Sequence, residues 1–483
     1  MPADQRLKDA LRLILDDGEE SGEERWHGTT AAYPANWEEL GYVEYFYRRD
    51  TILVRAADTD LVIRTLRDTV TPSEERSPII PDDVVIDLLP VIDGVTSLVW
   101  RYGRTYRAVS EARQAADGDS GFGGDYGQYN DDDPLSVPVV LAELDRRAGP
   151  GKWTPDHALA YCGNGHPCPA TEPDCVPGNA VSPEPPVSTG ICCGTRGWDG
   201  RDVFVGVVDG GLVDGVQVWP WMAGVTGEAE DPFMAGSGYI KPYACHGTFV
   251  AGCVRCVAPK AKVHVKKAEY IDHRPHAGMA YEHEIIQKMN ELMDCGAEVI
   301  VCEFDGFTRF HRPLLTFNAF YDQRLRHLNV VIVAPAGNDT TYKPTFPAAY
   351  SWVVGVGALS ADGNSRASFS NYGGWVDVYA PGVDLVNAFA VGDYDCFEEP
   401  YEHRHFEGLA SWSGTSFSAP LVAGMIAARM SGTGENATLA AESLLRLARS
   451  QALPGVGPVL YPHQVCATPR KPCHPTCECD CAH

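Results

Sequence analysis

Two textures of apolar positions divide the chain. From about residue 196 onward, continuous apolar runs alternate with stretches of helical period such as Glu282 to Met293. The runs are Val203-Phe-Val-Gly-Val-Val208, Val299-Ile-Val-Cys302 and Val330-Val-Ile-Val-Ala334. Strands apolar on both faces, separated by helices, predict a mostly parallel sheet covered on both sides. Before residue 110 the pattern is that of a smaller α+β unit. Thr51–Arg55, Val84–Leu89 and Val95–Trp100 read as strands, and Asp58 to Arg67 as an amphipathic helix with Leu61, Val62 and Leu66 on one face.

Between these regions the chain reads as linker and connector over 111–195. A Gly/Asp/Tyr-rich stretch (Asp117 to Asp133) gives way to a short helix, Val139 to Arg147. A Cys/Pro-rich run, Cys162 to Cys193, follows. The expected organisation is therefore 1–110, an acidic α+β domain; 111–195, connector; 196–452, a large α/β domain; and 453–483, a Cys-rich tail.

Charge narrows the partners. The 483 residues carry 39 Lys/Arg against 65 Asp/Glu, a net −26. That is the wrong sign for neutralising phosphates, so no nucleic-acid partner is expected. No run approaches the roughly 18 apolar residues of a membrane span. The acidic run Asp16-Asp17-Gly18-Glu19-Glu20 stands where a secretory signal would place its cleavage site. A cytoplasmic protein is the expectation. In a reducing compartment the 16 cysteines read as thiols or metal ligands before disulfides. Cys162, His166, Cys168 and Cys175 could hold zinc, as could Cys466, Cys473, His474, Cys477, Cys479, Cys481 and His483, though neither spacing is that of a known finger. Cys253 and Cys256 read as core residues or as one half of a disulfide with a neighbour.

Four segments of the α/β region carry chemistry. Val207-Val208-Asp209-Gly210-Gly211 ends a buried strand with a carboxylate, and Cys245-His246-Gly247-Thr248 opens a small-residue helix with a histidine. Ala336-Gly337-Asn338-Asp339 presents an amide after a strand. Ser413-Gly414-Thr415-Ser416-Phe417-Ser418-Ala419-Pro420 puts a hydroxyl in the first turn of an apolar helix, with Pro420 near enough to the start to be tolerated. A serine hydroxyl needs a base, and an imidazole needs a carboxylate to fix its tautomer. A developing oxyanion needs donors.

In this order, Asp, His, Asn, Ser, the chain resembles the subtilisin-like serine peptidases (the subtilase or S8 family) over about residues 200 to 450. The likeness extends to Arg366-Ala-Ser-Phe-Ser370, Val376-Asp-Val-Tyr-Ala-Pro-Gly382 and Leu421-Val-Ala-Gly424. The resemblance implies a three-layer α/β fold, a triad of Asp209, His246 and Ser416, and Asn338 in the oxyanion hole. It also implies cleavage of a polypeptide bound as an added strand. The family's usual Ser-Leu-Gly or Ser-Trp-Gly is replaced by Glu303-Phe304-Asp305 before Gly306. These four residues, with Thr345, are the expected substrate-contacting set, and the two carboxylates at the rim could select a Lys or Arg side chain. The short Cys253–Pro259 segment lacks the insertion that forms the family's common calcium site, so neither calcium nor zinc is expected as a required cofactor. Residues 1–110 have the strand–helix–strand order of the family's inhibitory propeptide, which makes intramolecular inhibition an expectation. Acyl transfer to an amine, in leader removal or macrocyclisation, and an inactive binding module remain as alternatives.

Overall fold

The computed structural model describes residues 29–32, 45–67, 70–71, 74–75, 78–80, 84–101, 136–160, 170–176, 197–234, 236–268, 278–396 and 401–465. The zinc-ligand sets proposed at 162–168 and 466–483, and the Asp117–Asp133 linker, lie outside them.

The α/β region forms the expected parallel sheet of seven strands. Their spatial order is Thr226–Gly227, Lys262–Lys267, Phe204–Asp209, Val299–Cys302, Val331–Pro335, Val353–Leu359 and Val378–Pro381. The order reverses direction between Phe204–Asp209 and Val299–Cys302, and ligands of such sheets gather at the carboxyl ends flanking that switch. One face carries the histidine helix (His246–Val257) and the serine helix (Thr415–Thr433), which pack on each other. Helix Glu282–Asp294 packs against the sheet's central strands, where Gly206 leaves room for Leu292. Every residue of the strand Phe204–Asp209 is buried, as two-sided coverage requires. Among the described residues, no helix is long and apolar enough to cross a membrane.

A second, antiparallel sheet of six strands carries its own core. Tyr45–Arg55 lies beside Val95–Arg101, which pairs in turn with Val85–Ile92, and Thr29–Ala32 adds to Tyr45–Arg55. Helices Thr59–Arg67 and Val137–Ala148 bury Val62, Leu66, Val140, Leu141 and Leu144 with Ile52, Leu98 and Trp100.

Here the structure corrects the expected boundaries. The stretch read as connector supplies both the helix Val137–Ala148 and the strand Trp153–Ala160, which pairs with Tyr45–Arg55. On its other edge Trp153–Ala160 pairs with Met279–Tyr281, so the small sheet is completed by the large domain. Pro155 and the polar pair Asp156-His157 hide this strand in the sequence, because they break the apolar alternation that marks one.

Candidate active site

Asp209 ends its strand fully buried. Its Oδ1 accepts from the Gly210 N–H at 2.5 Å, and its Oδ2 meets His246 Nδ1 at 2.8 Å. This approach depends on the residue after the histidine, since a Cβ at Gly247 would collide with the Gly211 carbonyl and crowd Asp209. The imidazole is clamped edge-on by Trp412, with ring centroids 5.8 Å apart. Phe417, the residue after Ser416, lies tilted against it at 5.5 Å. With Nδ1 committed to a carboxylate, Nε2 is the nitrogen left to exchange a proton.

Ser416 is the second residue of the serine helix and is buried. The neighbouring Thr415 ties it to the asparagine. Asn338 Oδ1 accepts from the Thr415 N–H at 3.0 Å and from Thr415 Oγ1 at 3.1 Å, while Gly337 N–H donates to Thr415 Oγ1 at 3.1 Å. A backbone N–H can only donate, so the amide orientation is settled and Nδ2 is the group offered to a ligand. Gly337, at φ 92°, makes the turn, and Asp305 Oδ2 would lie 3.0 Å from a Cβ there. Pro420, expected near the helix start, is the sixth residue of Thr415–Thr433 and lies inside the helix. Lacking an N–H, it removes the donor that a regular helix would offer the Ser416 carbonyl.

The substrate-contacting set is placed differently from the sequence expectation. Glu303 and Asp305 are not rim carboxylates able to select Lys or Arg by charge. They are 0% and 3% exposed, and burial pushes both carboxyls well above the usual carboxylate range. The Asp209 charge adds to the effect at Glu303, and the Asp339 charge adds to it at Asp305. Both are therefore harder to ionise than an exposed carboxyl. Phe304 is fully buried in the main core. Gly306 exchanges hydrogen bonds with Phe346 at 3.0 and 2.9 Å. Thr345 is fully buried and donates to the Ala336 carbonyl at 2.9 Å, so it braces the asparagine turn. Asp339, beside Asn338, is raised to about 6 by burial, with Asn371 and Lys343 opposing.

The strand Trp153–Ala160 ends in this cleft. Ala160 exchanges both backbone hydrogen bonds with Asp305, and Leu159 is buried in the main core. The strand is fixed by a polar network that sequence reasoning missed. His157 Nδ1 lies 3.2 Å from Glu282 Oε1, and its Nε2 accepts the Arg309 N–H at 3.1 Å. Glu282 Oε2 accepts from Thr316 Oγ1 at 2.6 Å. No local signal could have found it, because His157 lies over a hundred residues from its partners.

Among the described residues, only Asp209, His246 and Glu303 gather potential metal-ligating atoms. Asp209 and His246 are the paired groups described above, and Glu303 lies beside them. Cys253 and Cys256 are buried with both thiols facing the Asn387 amide, in keeping with the core reading, and Cys175 is exposed.

The model of the subtilase family matches residues 200–453, more than half of the chain and all four segments described above. The chain belongs to the subtilase family. A thermophilic serine proteinase from Bacillus sp. (strain AK1) is 42% identical over 106 residues, which is 22% of each chain. Subtilisin BL from Lederbergia lenta is 28% identical over 241 residues, covering 48% of this subtilase and 77% of that enzyme. The subtilase thus aligns to less than a quarter of the first relative's length and to most of the second's. Fervidolysin from Fervidobacterium pennivorans, a keratinolytic enzyme related to subtilisin, shares the fold. Its TM-score is 0.51 at 18% identity, over 87% of this chain and 61% of that one.

Proposed function

We propose that this subtilase is a serine endopeptidase. Ser416 attacks the scissile carbonyl and passes its proton to His246 Nε2, and Asp209 holds the resulting imidazolium. Asn338 Nδ2 and the Ser416 backbone N–H receive the oxyanion. The acyl-enzyme is then hydrolysed by the reverse proton path. The observation that carries this reading is the buried 2.8 Å contact between His246 Nδ1 and Asp209 Oδ2, set beside the helix that bears Ser416. A fluorophosphonate probe should label the wild type and fail to label Ser416→Ala. Absence of label on the wild type would reject the reading.

The substrate on this reading is a polypeptide lying antiparallel between Met279–Tyr281 and Asp305. Trp153–Ala160 of the chain itself fills that place. The N-terminal sheet is thus read as an internal inhibitor, one that extends past residue 110 to its cleft strand. The described chain stops at Ala160 beside Asp305. It resumes at Ala170, whose N–H donates to the carbonyl of Ser413, close before Ser416 in sequence. Intact masses of wild type and Ser416→Ala test the arrangement. A cut present only in the wild type, C-terminal to Ala160, supports it, and equal masses reject self-processing.

A further inference from the structure

Glu303 follows the last residue of the strand Val299–Cys302, and the mechanism above makes no use of it. Its position has a simple cause. The strand runs parallel to Phe204–Asp209 with Cys302 opposite Val208, and the Glu303 N–H donates to the Val208 carbonyl at 3.2 Å. Extending the register by one residue sets Glu303 beside Asp209, and partners on neighbouring strands share a face. Its side chain therefore turns into the reaction centre. A carboxylate oxygen of Glu303, one of Asp209 and a ring nitrogen of His246 all lie within 4.8 Å of one another. Both Glu303 oxygens are buried and without a hydrogen-bond partner of good geometry, yet the Ser416 hydroxyl stands near enough to favour the ionised acid.

We propose that Glu303 is a further catalytic residue, which must carry a proton for Ser416 to hand its hydrogen to His246. The inference rests on the peptidase reading of the site. The serine has one O–H, and on that reading His246 Nε2 and Glu303 compete for it. A carboxylate is a stronger acceptor than a neutral imidazole, so ionised Glu303 draws the hydrogen away from Nε2. As the neutral acid it releases that hydrogen to the base. No net transfer involves Glu303 in a turnover: the Ser416 proton goes to His246 and returns, and Glu303 keeps its own.

The groups facing Glu303 come from its own segment and from three neighbouring elements. Asp209 closes the neighbouring strand, His246 and Cys253 face it from the histidine helix, and Ser416 from the serine helix. Cys302 and Asp305 lie on its own segment. The two carboxylate charges that act on it, Asp209 and Asp305, both oppose its ionisation, as does burial.

The test is the pH dependence of fluorophosphonate labelling, and of ester hydrolysis with a small chromogenic substrate, on the full chain. Wild-type rates should fall by about tenfold per pH unit on the alkaline side once Glu303 ionises. Glu303→Gln, and Glu303→Ser as a smaller variant should the amide disturb folding, should remain active and lose that fall. Superimposable profiles for all three would show that Glu303 is a spectator. Two folded variants dead throughout, as judged by unchanged thermal melts, would make it the base and overturn the proposal in the other direction. A wild type that is never labelled rejects the peptidase reading itself, an outcome distinguishable from both, and this inference falls with it.

Discussion

Ala160 and Asp305 are joined as an antiparallel pair. The Ala160 N–H donates to the Asp305 carbonyl at 3.0 Å, and the Asp305 N–H returns the bond at 2.8 Å. This exchange is the last link of the N-terminal sheet to the cleft. Ala160→Pro removes one of the two donors, and a backbone bond is worth about 0.5–1.5 kcal/mol net. Peptide hydrolysis by the unprocessed chain should rise about 2- to 10-fold in initial rate. Hydrolysis of a small ester, which needs no strand pairing, should change less.

Asn338→Ala deletes the amide that Thr415 orients. If that amide receives the oxyanion, kcat should fall by about 10²–10³, the usual cost of removing one oxyanion donor, with little change in KM. A fall in KM of the same size as the fall in kcat would show that the amide acts on the ground state.

Asp339 is half-buried, and desolvation raises it to about 6 from an ordinary value of 3.8. The folded state binds this proton more tightly than the unfolded chain does. Its contribution to stability is therefore complete below about pH 4 and lost as pH climbs through 6. Asp339→Asn should flatten that segment of the stability curve and raise stability at pH 7 by about 1–3 kcal/mol. Denaturant melts of both proteins between pH 4 and 7.5 check the sign.

Gly247→Ala forces a methyl group into the Gly211 carbonyl and against Asp209. The histidine helix must shift, at about 1–3 kcal/mol of stability. The Asp209–His246 contact is the first casualty, so labelling of Ser416 should slow by about 10²-fold or more even where the protein still melts cooperatively.

The parts of the site that were legible in the sequence are those whose geometry is local. Asp209 ends a run of apolar residues, and His246 and Ser416 open helices. Asn338 follows a strand into a glycine turn. The parallel sheet follows from the same runs. What stayed hidden depends on chain arriving from elsewhere. Glu303 and Asp305 are recognisable as unusual residues in their segment, but their burial comes from Asp209's strand, the two active-site helices and Ala160. The cleft strand was masked by Pro155, and its partners at 45–55 and 279–281 lie on either side of it in sequence.

On the inhibitor reading, the strand beside Asp305 belongs to the molecule it obstructs. Its competition with an outside polypeptide is therefore governed by an effective local concentration and not by the concentration in bulk. A dilute substrate loses that contest however many collisions it makes. Once a peptide bond between the strand and Ser416 is severed, the strand keeps only the affinity of its own contacts. Its hold then weakens on dilution, so freshly cut enzyme should gain activity per molecule as it is diluted.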